Sequence, residues 1–258
     1  MTTSRHPAAW IPLLSSLTTD DIKEIVASPP TCVLLPVGCV EPHGPHLPIS
    51  IDTTISEVAC IKAARTLVEK NVDVYIAPSV PYGVTDFAEG FPGAIGVPAD
   101  ALTALLRSIV DRLLSDGWTH VCIVNNHLEP AQDAAVRAAI EKAPKGAASV
   151  ACPLTKRWAR TLSDEFKKGN CHAGRYETSL ALAAGTQVRD DFTKLPSLDV
   201  SLSREIKAGK SRFRDMGMER AYSGAPAEAT EKEGEELFDK LAEMVVGEVT
   251  EGIAARTK

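Results

Sequence analysis

The stretch VLLPVGCVEPHGPHLPISIDT, residues 33–53, begins as an apolar run of strand character. Between Glu41 and Asp52 it then places two acids, two histidines and three prolines in one loop. Glu41 and His43 stand at i and i+2, so in an extended segment their side chains project from the same face. Pro42, Pro45 and Pro48 restrict φ at their own positions and the conformations of the residues before them. Such a loop loses little further freedom when it coordinates. The pattern predicts a buried strand whose carboxyl end carries a stiff, preorganised set of ligands.

Working outward, short apolar runs recur at residues 32–37 (CVLLPV), 72–77 (VDVYIA), 120–124 (HVCIV) and 148–152 (ASVAC). Each is apolar on nearly every residue, as strands covered on both faces are. Amphipathic stretches rich in Ala, Leu, Glu, Lys and Arg lie between them at about 53–69, 99–115 and 131–142, and a long helix is expected near 228–255. Repeated β-α-β units imply a parallel sheet with helices on both faces. Residues 190–224 have weak periodicity and read as irregular loops forming a lid or an interface.

In open α/β sheets ligands bind beyond the carboxyl ends of the strands. The first predicted strand runs into Glu41-Pro42-His43 and the third into His127-Leu128-Glu129, a second acid/His pair at i and i+2. Nitrogen and carboxylate donors suit Zn²⁺, Mn²⁺ or Fe²⁺, and these four side chains with Asp52 as a bridge could hold two ions with positions left open for water. Simpler readings exist. Asp52 could be the N-cap of the helix starting at residue 53, and His127 with Glu129 could be a polar strand end. His6, His46 and His120 are assigned no chemistry. A third cluster, NCHAGRYETSLALAAG, holds His172 and Glu177; alone, Glu177 would pass for a first-turn acid favoured by the helix dipole. Beside a metal site His172 suits a proton shuttle, because an imidazole can accept and return a proton near neutral pH.

The whole composition bounds the rest. With 258 residues, 44% of them hydrophobic, the chain suits one domain over 1–258. A net charge of −6 without a basic run leaves no footprint for nucleic acid or an anionic membrane. No apolar run approaches the roughly 20 residues of a span, and HPAAWIPLLSS is too short to be a signal core. A cytoplasmic protein is expected. The cysteines are scattered without a C-x-x-C pair and read as buried thiols.

Taken together these segments resemble the creatininase (creatinine amidohydrolase) family. LPVGCVEPHGPHLPISIDT resembles its Pro-x-Gly-x-x-Glu-x-His-Gly-Pro-His-Leu-Pro signature with a following Asp. NNHLEP is similar to its Asn-Gly-His-x-Glu-Asn segment, HAGRYETS to its His-(Ala/Gly)-Gly-x-x-Glu-Thr-Ser segment, and AYSGAPAEATEKEGEELF to its C-terminal Gly-x-Pro segment. The resemblance implies a three-layer α/β/α sandwich with a mainly parallel sheet, two divalent ions (Zn²⁺ or Mn²⁺) and a homo-oligomer, often a hexamer. It implies Glu41 and His127 on one ion, His43 and Glu129 on the other, Asp52 between them and His172 as the catalytic histidine. Glu177 would orient the site or contact metal. The family's Trp-Asp-x-Glu run before that histidine is replaced by Lys168-Gly169-Asn170-Cys171, and Asn126 stands where the family has glycine. Creatinine is therefore not the expected substrate; relatives act on formamides, on a modified peptide or on oxidised cyclic polyols.

The expected reaction is hydrolysis of an amide, cyclic amide or formamide C–N bond by a metal-bridged hydroxide. His172, Glu129 and Glu177 would be the catalytic groups. Tyr82, Asn126 and Cys171, with the loop over 86–97, would line the substrate, a small molecule. The rivals are C–C cleavage of a cyclic ketone or polyol, a maturation peptidase, and a non-catalytic metal-binding protein. A nucleotide-binding domain is disfavoured because no G-x-G-x-x-G or Walker pattern follows a strand.

Overall fold

The computed structural model describes residues 11–256, so His6 lies outside the described residues. Four strands, β1 (Thr31–Val37), β2 (Asp73–Ile76), β3 (His120–Asn125) and β4 (Ala148–Ala151), form one sheet in the order β2-β1-β3-β4, and every pairing is parallel. The α-helices are α1 (Thr19–Val26), α2 (Ile51–Glu69), α3 (Ala99–Ser115), α4 (Pro130–Ile140), α5 (Lys156–Ala159), α6 (Asp164–Lys168), α7 (Arg175–Ala183), α8 (Leu202–Lys207) and α9 (Glu231–Arg256), with short 3-10 turns in the connections.

The near-continuous apolar strands are explained by burial on both faces. Cys32 and Leu34 of β1 join Val74, Ile76, Cys122 and Val124 in a core with residues of α2, α7 and α9. Val33, Leu35 and Val37 point the other way, with Val121 and Ile123, into a second core against α3 and α4. Alternate residues thus serve opposite layers, as the two-residue period of a strand requires. The sandwich expected from the sequence is the fold observed. All six cysteines are free and buried, and among the described residues no helix is long and apolar enough to cross a membrane.

What positions the site is register. Pro36 pairs with Val124 and Val37 with Asn125, so β1 and β3 end side by side. The loops carrying Glu41 and His127 therefore leave the sheet as neighbours. Gly38 lets α2 approach this rim, because a Cβ there would collide with the backbone N of Thr53. Gly234 does the same for α9 against α7, where a Cβ would meet the carbonyl of Ser179.

Candidate metal centre

Helix α2 starts at Ile51 with Ser50 as its N-cap, so Asp52 is a first-turn residue and not the cap itself. Its carboxylate turns inward and is 1% exposed. Oδ2 lies 3.0 Å from His127 Nδ1, while Oδ1 lies 3.2 Å from His43 Nε2. The two oxygens thus face two different groups of ligands. On one side stand Cys39, Glu41 and His127; on the other, His43 and Glu177, and within each set the donor atoms lie within 4.8 Å of one another.

Each imidazole is oriented by a carbonyl. His43 Nδ1 sits 3.1 Å from the carbonyl of Glu41, and His127 Nε2 sits 2.6 Å from that of Val84. A carbonyl only accepts, so those nitrogens carry the hydrogen, and the opposite nitrogens face the carboxylates. Glu41 Oε1 lies 3.3 Å from His127 Nδ1, and its Oε2 accepts from Thr85 Oγ1 at 2.7 Å. His43 Nε2 is buried with no hydrogen-bond partner, though Asp52, Glu177 and Glu41 all lie within 3.7 Å. Convergent carboxylate and imidazole donors in a buried space, with no hydrogen bond made at His43 Nε2, fit a divalent cation.

The electrostatics agree. Burial alone would raise Asp52 and Glu41, yet the facing imidazoles outweigh it, holding Asp52 far below the usual carboxylate range and Glu41 at about 2. Burial would likewise lower the imidazoles, but Asp52 and Glu177 raise His43 to about 10. Cys39, Glu41 and Asp52 push His127 well above its ordinary value against the same burial. In the metal-free protein, protons stand where cations are wanted. Burial lifts Glu177 to about 8 although His43 opposes it.

The side chain grouped with His43 and Asp52 is that of Glu177, not the expected Glu129. Glu177, brought over the rim by α7, occupies that place. Glu129 is the N-cap residue of α4, and its carboxylate accepts from the backbone N–H groups of Asp86 and Phe87 at 3.2 and 3.3 Å. It remains 3.9 Å from His127 Nε2. Burial raises it to about 7, with His127 and the two N–H groups opposing and Glu41 adding.

Glu41, Asp52, His127, Glu129, His172 and Glu177 form the polar floor of a cavity of about 340 Å³. Its walls are Phe87, Leu128, Leu154, Phe166, Leu202, Ile206 and Phe213, and Lys167 and Lys207 also line it. His172 Nε2 lies 3.1 Å from the carbonyl of Pro42, which places the hydrogen there and leaves Nδ1 unprotonated, 3.7 Å from Glu41 Oε1 and grouped with Glu41 and His43. Its ring packs between His43 and Phe213, at centroid distances of 4.5 and 4.4 Å. Burial and the charge of His43 lower it to about 4.

The three substrate contacts expected from sequence separate. Cys171 lines the cavity. Tyr82 does not: its neighbour Gly83 is pressed against the carbonyl of Gly38 and the amide of Gln132, and Tyr82 is left 48% exposed outside. Asn126 is buried beside the rim, donating to Ser56 Oγ at 3.1 Å, and is not among the cavity residues. Phe87 from the 86–97 loop does line it, and residues 190–224 supply the wall that Leu202, Ile206 and Phe213 form.

Sequence reading missed Gln132, Thr85, Cys39 and Phe213. Gln132 Nε2 donates to Gly38 O and Asn125 Oδ1, and its Oε1 accepts from Val84 N at 2.9 Å, which ties the ends of β1 and β3 to the segment after β2. Cys39 was legible: it stands at i−2 from Glu41, as His43 stands at i+2, in the same loop. For Gln132, Thr85 and Phe213 no local signal existed.

Comparison with known proteins gives a consistent answer. The family model described as Creatininase: Creatinine amidohydrolase matches residues 15–249. The mycofactocin precursor peptide peptidase of Mycolicibacterium smegmatis is 32% identical over 225 residues, covering 83% of this chain and 81% of that protein. A solved structure of a manganese creatininase aligns with a TM-score of 0.72 at 18% identity, covering 94% of this chain and 98% of that one. A Zn–Zn type creatininase variant aligns at 0.70 and 17%, with the same coverage.

Proposed function

The chain belongs to the creatininase family of hydrolases, and on that premise we propose that it cleaves a peptide C–N bond next to an apolar residue. The observation that carries this reading is the acid and imidazole floor at the base of an apolar cavity. Such a cavity falls within the usual size of small-ligand sites. Its walls accept a hydrophobic side chain, and no aromatic precedes His172 in the run 168–171 where the family stacks creatinine. The named activity of the M. smegmatis relative, on a precursor peptide, supports a peptide over a small ring.

Glu41, Asp52 and His127 would hold one divalent ion; His43, Asp52 and Glu177 would hold the other. Bound divalent ions supply a water of lowered pKa and polarise a carbonyl. Glu129, with its carboxyl near 7 and fixed by two backbone N–H groups, takes a proton at the cavity floor and returns it. His172, neutral and with Nδ1 open to the site, accepts a proton or positions the departing amine. The phenyl ring of Phe213 keeps water from its outer face.

Zn²⁺ or Mn²⁺ as resident ions, a cytoplasmic location and a homo-oligomer, a hexamer by family resemblance, belong to this reading. Metal-reconstituted protein incubated with peptides bearing apolar residues should release new amino termini, and formamides and creatinine should be cleaved far more slowly. If peptides stay intact while a cyclic ketone is opened to an acid, C–C hydrolysis replaces this proposal.

A further inference from the structure

The two ligand groups that share Asp52 are not chemically equivalent. The His43, Asp52 and Glu177 set offers nitrogen and oxygen only. The other includes a sulfur: Cys39 is fully buried, and its Sγ lies 3.1 Å from Asp52 Oδ2, the same oxygen that His127 Nδ1 approaches to 3.0 Å. Sγ, the Glu41 and Asp52 carboxylates and the His127 nitrogen lie within 4.8 Å of one another. Cys39, Glu41 and His43 stand at i, i+2 and i+4 in the loop that leaves β1, a spacing that projects side chains to one side where backbone is extended.

We propose that Cys39 is a fourth protein ligand at the Glu41–Asp52–His127 position, making it a sulfur-containing site that selects Zn²⁺ over Mn²⁺, while the His43–Asp52–Glu177 position stays a nitrogen–oxygen site open to either. The inference rests on the binuclear reading above. Soft thiolate favours Zn²⁺ strongly, whereas Mn²⁺ prefers carboxylate and water. On coordination the thiol gives its proton to solvent as the metal–sulfur bond forms, and no redox change accompanies it. Asp52 presents one oxygen to each set, which allows two different ions to be loaded side by side.

Co²⁺ reports its donors, because a thiolate ligand adds an intense near-ultraviolet sulfur-to-cobalt charge-transfer band that nitrogen and oxygen donors do not give. Co²⁺ is titrated into metal-stripped full-length protein and into C39S and C39A, with circular dichroism confirming that each is folded. The wild type should show the band and both variants should lose it while still taking up Co²⁺. Competition titrations should show the Zn²⁺-over-Mn²⁺ preference falling at least about tenfold in C39S, the loss coming from weaker Zn²⁺ binding. Co²⁺ uptake without the band, or a band that persists in both variants, overturns the assignment of Cys39 and leaves the metal centre standing. A wild-type protein that binds no Co²⁺, Zn²⁺ or Mn²⁺ overturns both.

Discussion

At the scale of single residues, the site depends on side chains whose charges are costly to bury alone. His43 has no hydrogen-bond partner at Nε2 and three carboxylates around it. Replacing it by Ala removes one of the three donors proposed for its position, so on that proposal His43→Ala should bind one ion in place of two. Affinity at the affected position should fall by at least about 100-fold, beyond what loss of an outer partner costs, as read by elemental analysis after dialysis. Glu129 is a different case. It holds its proton near neutrality and faces the cavity without joining a ligand set. Glu129→Gln should retain both ions but lose about 10²–10⁴ in kcat, the range of general acid–base catalysis. Equal losses of metal and rate in that variant would return Glu129 to the ligands.

Elements matter because these residues come from separate pieces of chain held in register. Gln132 of α4 is buried and joins the ends of β1 and β3 to the segment after β2. Gln132→Ala leaves the N–H of Val84 unpaired, and it should destabilise the protein by about 1–3 kcal/mol in a denaturant titration. Gly38 controls a second junction. A Cβ there meets the first turn of α2, so Gly38→Ala should cost a similar amount through overpacking. Because Asp52 rides on that turn, the same change should weaken both metal positions together. A variant that is destabilised yet binds both ions normally would show that α2 can shift without moving Asp52.

For the molecule as a whole, the cluster makes stability depend on pH differently with and without metal. Without metal, His43 is raised to about 10, so its contribution is complete below its unfolded value near 6.5 and is lost as pH climbs through about 10. Glu177, raised to about 8, favours its protonated form, and its contribution falls between about 4.5 and 8. Glu41, held at about 2, acts only in acid and loses its contribution as pH falls below about 4.5. The metal-free protein should therefore lose thermal stability between pH 6.5 and 10. Metal-loaded protein must keep its ligands deprotonated, so the stabilisation by metal grows over the same range. The gap between the two melting temperatures should widen by at least about 5 °C from pH 6 to pH 9, at roughly 2–4 °C per kcal/mol; a gap that narrows would contradict the cluster's charge pattern. By itself the sequence determined the architecture, since strands buried on both faces and alternating with amphipathic helices can only build a parallel sheet with helices on each side. It also determined the ligand candidates at the β1 and β3 tips, because stiff loops and two-residue spacing are local properties. Only the tertiary structure decided that Glu177 rather than Glu129 joins His43, that Tyr82 faces solvent, and that Phe213 covers His172. Those outcomes depend on where α7 and the 190–224 segment cross the rim, and contacts between residues distant in the chain leave no periodic trace in it.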